Sequence, residues 1–354
     1  MIHITEETGL NAIYGGWLLG GGGGGSLAGG KEVLAAALEC GGFDIVTIDE
    51  LDPAVNVVTG SLVGSPAAGK SAITPAHCVK AYELFKKNTD LEIGAFISNE
   101  AGAHSITNGW IAAAANKVPI IDAACNGRAH PTGVMGAMSL DAIKDYRTAQ
   151  SACGGSGKNY VELFTTGGIN QTSTLVRQAS VQCQGYVSVL RNPACAAYVK
   201  ENAAIGALSR CIEVGAVVRE CEGDAAKMTA ALGEKFGLQV LAKGVTNSFA
   251  LECAGGFDVG SVRIGEGHIV TFWNEFMTAE GNGKRLATFP DLIALLDGET
   301  GLPVCSADVR DGMNVLLVCI PRERLLLGSS MKLKILFEAC EEATGKALIK
   351  YVFS

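Results

Sequence analysis

Between Ile97 and Gly133 the chain reads ISNEAGAHSITNGWIAAAANKVPIIDAACNGRAHPTG, the densest run of reactive side chains in the sequence. Asn99, Glu100, His104 and Asn108 follow one apolar run, Leu91–Ile97, and Asp122, Cys125, Arg128 and His130 follow another, Val118–Ile121. If both runs are parallel strands, these groups gather at their C-terminal ends, where open α/β sheets bind ligands. An Asp directly after a buried strand, with Gly127 and Arg128 close behind, would aim a carboxylate and a guanidinium into one crevice. A structural ion pair with helix caps is the alternative. A Cys125 thiolate beside Arg128 or His130 would be a nucleophile, although the chain holds 12 cysteines and most are expected to be reduced and buried.

Three other segments carry chemical signals. GWLLGGGGGGSLAGG places Gly21, Gly22, Gly23 and Gly24 between two apolar segments. Glycines there let backbone N–H groups approach an anionic or polar ligand ahead of a helix N-terminus. Any run of six glycines matches G-x-G-x-x-G, so that match carries no weight. GSPAAGKS, Gly64 to Ser71, satisfies the phosphate-loop pattern after a strand-like run. Yet Pro75 stands four residues past Ser71, where it would break the helix that such a loop must open. Nucleotide hydrolysis through this segment therefore stays as the second hypothesis. Asn274 and Glu275 sit inside an aromatic strand run, FWNEFMTAE, as further candidates for the site, and Asp291, Asp297 and Glu299 flank an apolar segment as caps or surface.

The elements that must position these residues alternate in the first half. Helices are expected at Leu10–Leu19, Lys31–Cys40, Pro75–Lys87 and Thr107–Asn116, with strands at Phe43–Ile48, Val55–Val63, Leu91–Ile97 and Val118–Ile121. That alternation argues for βαβ units around a parallel sheet, with Rossmann-like layering. SACGGSGK, Ser151 to Lys158, reads as a loop or domain junction, so the chain divides into an α/β domain over 1–165 and a second domain over 166–354. The second opens with helices at Tyr198–Leu208 and Ala225–Phe236. From about residue 238 short strand-like runs between Gly and Asn turns suggest a β-rich barrel or sandwich, with Val315–Ile320 and Leu348–Phe353 as further strands.

Composition narrows the function. The sequence has 354 residues, 48% of them hydrophobic and 18% charged, with a net charge of -8. A chain of that sign lacks the basic footprint that nucleic acid requires. Mean hydropathy is +0.27, but no apolar stretch approaches the roughly 20 residues of a spanning helix. The first residues, MIHITEETGL, lack a basic start and an apolar core, so a cytoplasmic protein with no membrane partner is expected. No C-x-x-C occurs, and the five His are scattered; no cofactor is expected, and spacing assigns no metal ligands.

Taken in order, the Gly20–Ser26 loop, D-x-x-x-x-G-R-A-x-P at Asp122–Pro131, G-G-F-x-x-G at Gly255–Gly260, F-x-N-E at Phe272–Glu275 and P-D-L-I-x-x-L-D-x-E-T-G at Pro290–Gly301 resemble the S-methyl thiohydantoin desulfurase-like family. The resemblance implies an N-terminal α/β domain with Rossmann-like layering, a C-terminal domain built around a β-barrel, and hydrolytic chemistry on a five-membered cyclic amide. Relatives often carry D-G-M-G-R-A-F-P-E where this chain reads ACNGRAHPT, so Cys125, His130 and Thr132 depart from the pattern. Under this resemblance Asp122 or Glu100 would position water as the base. Arg128 and the Gly20–Gly25 amides would stabilise charge, and attack by Cys125 would be a covalent variant. Asn99, Asn108, His104, His130, Asn274, Glu275 and Gly21–Gly24 would bind the substrate. A homo-oligomer is expected, and a non-catalytic subunit of a hydantoinase-type complex remains a third hypothesis.

Overall fold

The computed structural model describes residues 1–64, 73–254 and 257–353. Seven residues of the phosphate-loop-like segment, 65–71, therefore lie outside the described residues, as do 255–256 of the GGFDVG segment. In chain order the first elements are β1 (Ile2–His3), α1 (Glu6–Leu19), α2 (Leu27–Glu39), β2 (Asp44–Val46), β3 (Asn56–Val63), α3 (Pro75–Asn88), β4 (Ile93–Ser98), α4 (Trp110–Asn116) and β5 (Ile120–Ala124). Then follow β6 (Thr148–Gly154), β7 (Val161–Gly167), α5 (Ile169–Gln182), β8 (Val187–Cys195), α6 (Ala196–Asn202), β9 (Ala204–Ile205), α7 (Ala207–Glu220) and α8 (Ala225–Phe236). The expected helices and strands of the first 124 residues all form. Thr5 caps α1 by accepting the Thr8 N–H, Ser26 caps α2 by accepting the Gly29 N–H, and Pro75 opens α3 in its first turn.

Strands β2, β5, β4 and β3 are parallel in that spatial order, and β8, β6 and β7 extend the sheet antiparallel beyond β3. One sequence expectation needs correction here. Ser151–Gly154 is not a loop but the end of the buried strand β6; its small side chains let α3 lie close, and Ser151 Oγ donates to the Ala81 carbonyl at 2.7 Å. Strands β8 and β9 also return to this first sheet.

The second sheet runs β10 (Gln239–Ala254), β11 (Phe257–Ile264), β12 (His268–Trp273), β13 (Glu275–Gly281), β14 (Lys284–Thr288), β15 (Leu292–Asp297), β16 (Pro303–Val304) and β17 (Asn314–Ile320), all pairings antiparallel. Its spatial path, β14-β13-β12-β11-β10-β17-β15-β16, is open at both ends. The described strands thus make a β-rich layer, and not the closed barrel that the resemblance implied. Long β10 bends the path by pairing β17 with its first half and β11 with its second. Two short helices end the chain, α9 (Glu338–Thr344) and α10 (Ile349–Val352). Helix α10 replaces an expected strand, because Ile349, Val352 and Phe353 pack into a cluster around Phe289 and Phe337 instead of pairing at a sheet edge.

Burial explains why the two sheets hold together. Leu292, Ala294 and Leu296 of β15 and Leu316, Val318 and Ile320 of β17 face the same core as α1 and α7, while Ile293, Leu295, Val315 and Leu317 face the interior of the second sheet. With both faces covered, these strands are nearly continuous apolar runs rather than alternating ones. Helices α1 and α7 cross at glycine contacts: a Cβ on Gly15 would lie 1.9 Å from the Cys211 carbonyl oxygen, and one on Gly215 would lie 1.7 Å from that of Asn11. Neither backbone can yield without separating the helices. Gly215→Ala is therefore expected to cost about 1–3 kcal/mol through overpacking, read as a lowered urea midpoint with an unchanged slope.

Candidate active site

The loops leaving β4 and β5 meet at the C-terminal edge of the parallel sheet. Cys125 N–H donates to the Ser98 carbonyl at 2.8 Å, and Ala101 N–H donates to that of Asn126 at 3.0 Å. A strap near the C-terminus clamps the second loop: Gly127 N–H donates to Leu326 O at 3.0 Å, and Gly328 N–H to Asn126 Oδ1 at 3.1 Å. This lacing presents Glu100, His130 and Arg128 on one side.

Glu100 is 8% exposed. Its Oε2 accepts the His130 backbone N–H at 3.1 Å and lies 3.3 Å from His130 Nε2. The same ring nitrogen faces the Asn99 carbonyl at 3.4 Å. Facing two oxygens, Nε2 carries the proton, which leaves Nδ1 an acceptor. Burial holds His130 below its ordinary value, with the Glu100 charge opposing, so the ring is neutral near pH 7.

Arg128 is fully buried. Its guanidinium stacks on Phe289 with 4.6 Å to the ring centroid, and donates to Ala129 O at 3.0 Å and to the Asp291 carbonyl. These ties hold the side chain beneath the glycine tract, where it leaves Nη2 without a partner among the described residues.

Glu275 opens β13 on the opposite side of the tract. Burial raises its carboxyl well above the usual carboxylate range; the Glu100 charge adds to this, and Arg128 and the Gly24 N–H oppose it. Glu275 therefore holds its proton to higher pH than an exposed carboxyl does, the property that suits a buried carboxyl to act as an acid. The tract itself seals the contact. A Cβ on Gly23 would lie 1.9 Å from Glu275 Oε1, and Gly22, at φ +93°, passes 2.6 Å (Cβ position) from the Phe276 ring. Phe276 N–H donates to Gly21 O at 2.7 Å, Ser306 N–H to Gly22 O at 2.9 Å, and His104 N–H to Gly24 O at 2.9 Å. The tract is thus a pinned ledge between the two sheets.

Several buried polar atoms around this ledge have unused hydrogen-bonding capacity among the described residues: Arg128 Nη2, Glu275 Oε2, Ser105 Oγ and His130 Nδ1. Such atoms are uncommon in folded proteins and suit a polar ligand. Arg191 of β8, which the sequence did not single out, joins them. It is 5% exposed, its Nε is unpartnered, and no described carboxylate oxygen lies within the 4.0 Å of an ion pair. Burial holds its guanidinium below the ordinary value, with Cys125 and Glu100 opposing.

Other expected site residues are placed elsewhere or otherwise engaged. Asp122 does not join this cluster: its carboxylate accepts Ser209 N–H at 2.8 Å and Ser209 Oγ at 2.6 Å, so it caps α7. Strand alternation is the cause, since Ile121 and Ala123 face one core and Asp122 the helices opposite. Cys125 is wholly buried, and burial pushes its thiol up to about 12, against a bond from Thr59 at 3.4 Å. At neutral pH it is a thiol, not a nucleophilic thiolate. Asn274 adopts φ +55°, and its Oδ1 accepts the Asp258 N–H at 2.9 Å, so it shapes the turn that delivers Glu275. His104 is pushed down to about 4 by burial, packed beside Gly25 and 6.4 Å (centroids) from Tyr186. Asp291 pairs with Arg322 at 3.0 Å. Among the described residues no cluster of three His, Cys, Asp or Glu could hold a metal, and no helix is long and apolar enough to cross a membrane.

The family model described as S-Me-THD-like, N-terminal domain, matches residues 10–166, and that described as S-Me-THD-like, C-terminal domain, matches 169–336. No curated protein matches. A crystal structure of a protein from Chromobacterium violaceum superposes with a TM-score of 0.70 at 18% identity, over 97% of this chain and 96% of that one. That likeness concerns the fold alone.

The raised Glu275 carboxyl has a measurable consequence. Its folded form keeps a proton that the unfolded chain loses near pH ~4.3, so stability falls as pH rises from there through the folded value. Glu275→Gln is expected to remove that fall. Urea unfolding at a series of pH values should show the variant gaining on the parent as pH increases; parallel curves would place Glu275 in an ordinary solvated state.

Proposed function

The chain belongs to the S-Me-THD-like family, and on that premise we propose that it is a hydrolase that replaces the methylthio group of an S-methyl thiohydantoin by oxygen. Family membership suggests a thiohydantoin-related role; the finer reading rests on the site. The observation that carries it is the pair of carboxyls, Glu100 and Glu275, brought from different sheets to one ledge with Arg128 beneath it.

In this reading a water attacks the ring carbon that bears sulfur, and Glu100 takes one of its protons. The C=N bond opens towards nitrogen, and the tetrahedral centre carries OH and SCH3. Collapse forms C=O and breaks C–S; protonated Glu275 supplies the proton with which methanethiol leaves. The hydroxyl proton of the intermediate returns the lost proton to Glu275, and the Glu100 proton passes to the ring nitrogen, so both carboxyls end as they began. The net change is one water consumed and one methanethiol released. Arg128 and Arg191 are positioned to offset negative charge as it develops, in a buried setting where such interactions are strongest. The water route is preferred over the covalent one because the Cys125 thiol is held protonated.

The test is methanethiol release from S-methyl thiohydantoins by the purified chain. Glu100→Gln and Glu275→Gln should each lower kcat about 10²–10⁴-fold, the range for a positioned acid or base. Cys125→Ala should keep turnover within a few fold. Full loss in Cys125→Ala, in a folded protein, would move the chemistry to the thiol. Absence of release by the parent protein would sink the desulfurase reading.

A further inference from the structure

If the substrate is a five-membered cyclic amide, the site must also recognise the ring, and this step rests on the function proposed above. We infer that Asn99 and Asn108 form a paired donor–acceptor edge that reads the cis-amide edge of that ring. The two residues are 9% and 8% exposed, at the C-terminal end of β4 and just before α4. Asn108 Nδ2 donates to Asn99 Oδ1 at 2.6 Å.

That single bond has a chemical consequence. Each carboxamide offers one carbonyl and one amino group, and the bond uses the amino group of Asn108 and the carbonyl of Asn99. What remains is a donor, Asn99 Nδ2, and an acceptor, Asn108 Oδ1, on two side chains joined by that bond, and no described side chain or backbone group bonds to either. Both residues are held in place through their backbones. Ser98 Oγ donates to the Asn108 carbonyl at 3.1 Å and to that of Ile106 at 2.6 Å, while the Asn99 carbonyl faces His130 Nε2. The pair therefore presents a fixed pattern instead of two free rotors.

A ring lactam is the group that matches this pattern. Ring closure forces its amide to be cis, so its N–H and C=O point to the same side and can meet a donor and an acceptor together. In an ordinary trans amide the two groups point in opposite directions, so an open chain can satisfy one partner and not both. The ring carbonyl would accept from Asn99 and the ring N–H would donate to Asn108. Asn99 immediately precedes Glu100, so an amide edge held there puts the remaining ring atoms beside the base. The pair also explains selectivity against N-alkylated rings. Replacing the N–H by N–CH3 leaves the Asn108 carbonyl without its partner under the bound ring, which sites built for hydrogen bonding reject.

The test uses binding, not turnover. The full chain is titrated calorimetrically with hydantoin and with 1,3-dimethylhydantoin, which retains the carbonyls and has no N–H. Hydantoin should bind the parent protein about 5-fold more tightly, the ratio given by the one hydrogen bond of ordinary strength that is lost with the ring N–H. Asn108→Ala should bring that ratio near one, and Asn99→Ala, which removes the donor to a carbonyl that both ligands keep, should weaken both. Because the ratio is internal to each protein, a partly unfolded preparation leaves it intact. Equal binding of both ligands by the parent, a ratio unchanged in Asn108→Ala, or no hydantoin binding would overturn the inference. Methanethiol release without ligand discrimination removes the subsite and keeps the desulfurase. Discrimination without release does the reverse.

Discussion

Everything at the candidate site depends on the glycine ledge being pinned from both sides. Its carbonyls are fixed by N–H groups of Phe276 and Ser306 from the second sheet and of His104 and Ser105 from the first. A loop with side chains could not serve: the space a Cβ would need at Gly23 is filled by the Glu275 carboxyl, and at Gly22 by the Phe276 ring. The run of glycines is thus required by close packing on both faces, a stronger demand than flexibility. It brings the two sheets within reach of one another, with the Glu275 carboxyl packed against the tract from the second.

Charge burial follows from that closure. Arg128, Arg191, Glu100, His130 and Glu275 are all more than nine-tenths shielded, and isolated burial of ionised groups is costly. The protein meets this cost in three ways. Arg128 is stacked on Phe289 and bonded to carbonyl oxygens, His130 stays neutral beside Glu100, and Glu275 keeps its proton. Arg191 is different, since no described acid pairs with it. A cation left in that condition inside a site favours the arrival or development of negative charge, which is how it enters the mechanism proposed here.

Much of the first layer was legible because its signals are local. Apolar runs of strand length alternate with capped helices through residue 124, and Glu100, Arg128 and the glycine tract were placed from residue type and position alone. What escaped depends on long-range packing. SACG gave no strand signal because small residues were selected to let α3 approach. The Leu348–Phe353 run resembled a strand because apolar content alone does not separate a short docked helix from an edge strand. Arg191 lies in a strand of the second half of the chain, and nothing near it in sequence marks it as part of a site formed by β4 and β5.

Asp122 shows the same limit in reverse. Its place directly after Ile120 and Ile121 made it resemble a catalytic carboxylate at a strand end, yet β5 continues to Ala124. One further pair of residues shifts the strand's true end from Asp122 to the loop that carries Cys125, Asn126 and Arg128. Because side chains alternate along a strand, Asp122 then belongs to the helix-covered face, where Ser209 supplies two donors at the start of α7. In the mechanism proposed here the carboxylate comes instead from the neighbouring strand, through Glu100, and its partner from another sheet altogether. Splitting the acid and the base between two layers gives each its own degree of burial. The environment at the start of β13, more than the residue type, is what raises the Glu275 carboxyl above the usual carboxylate range.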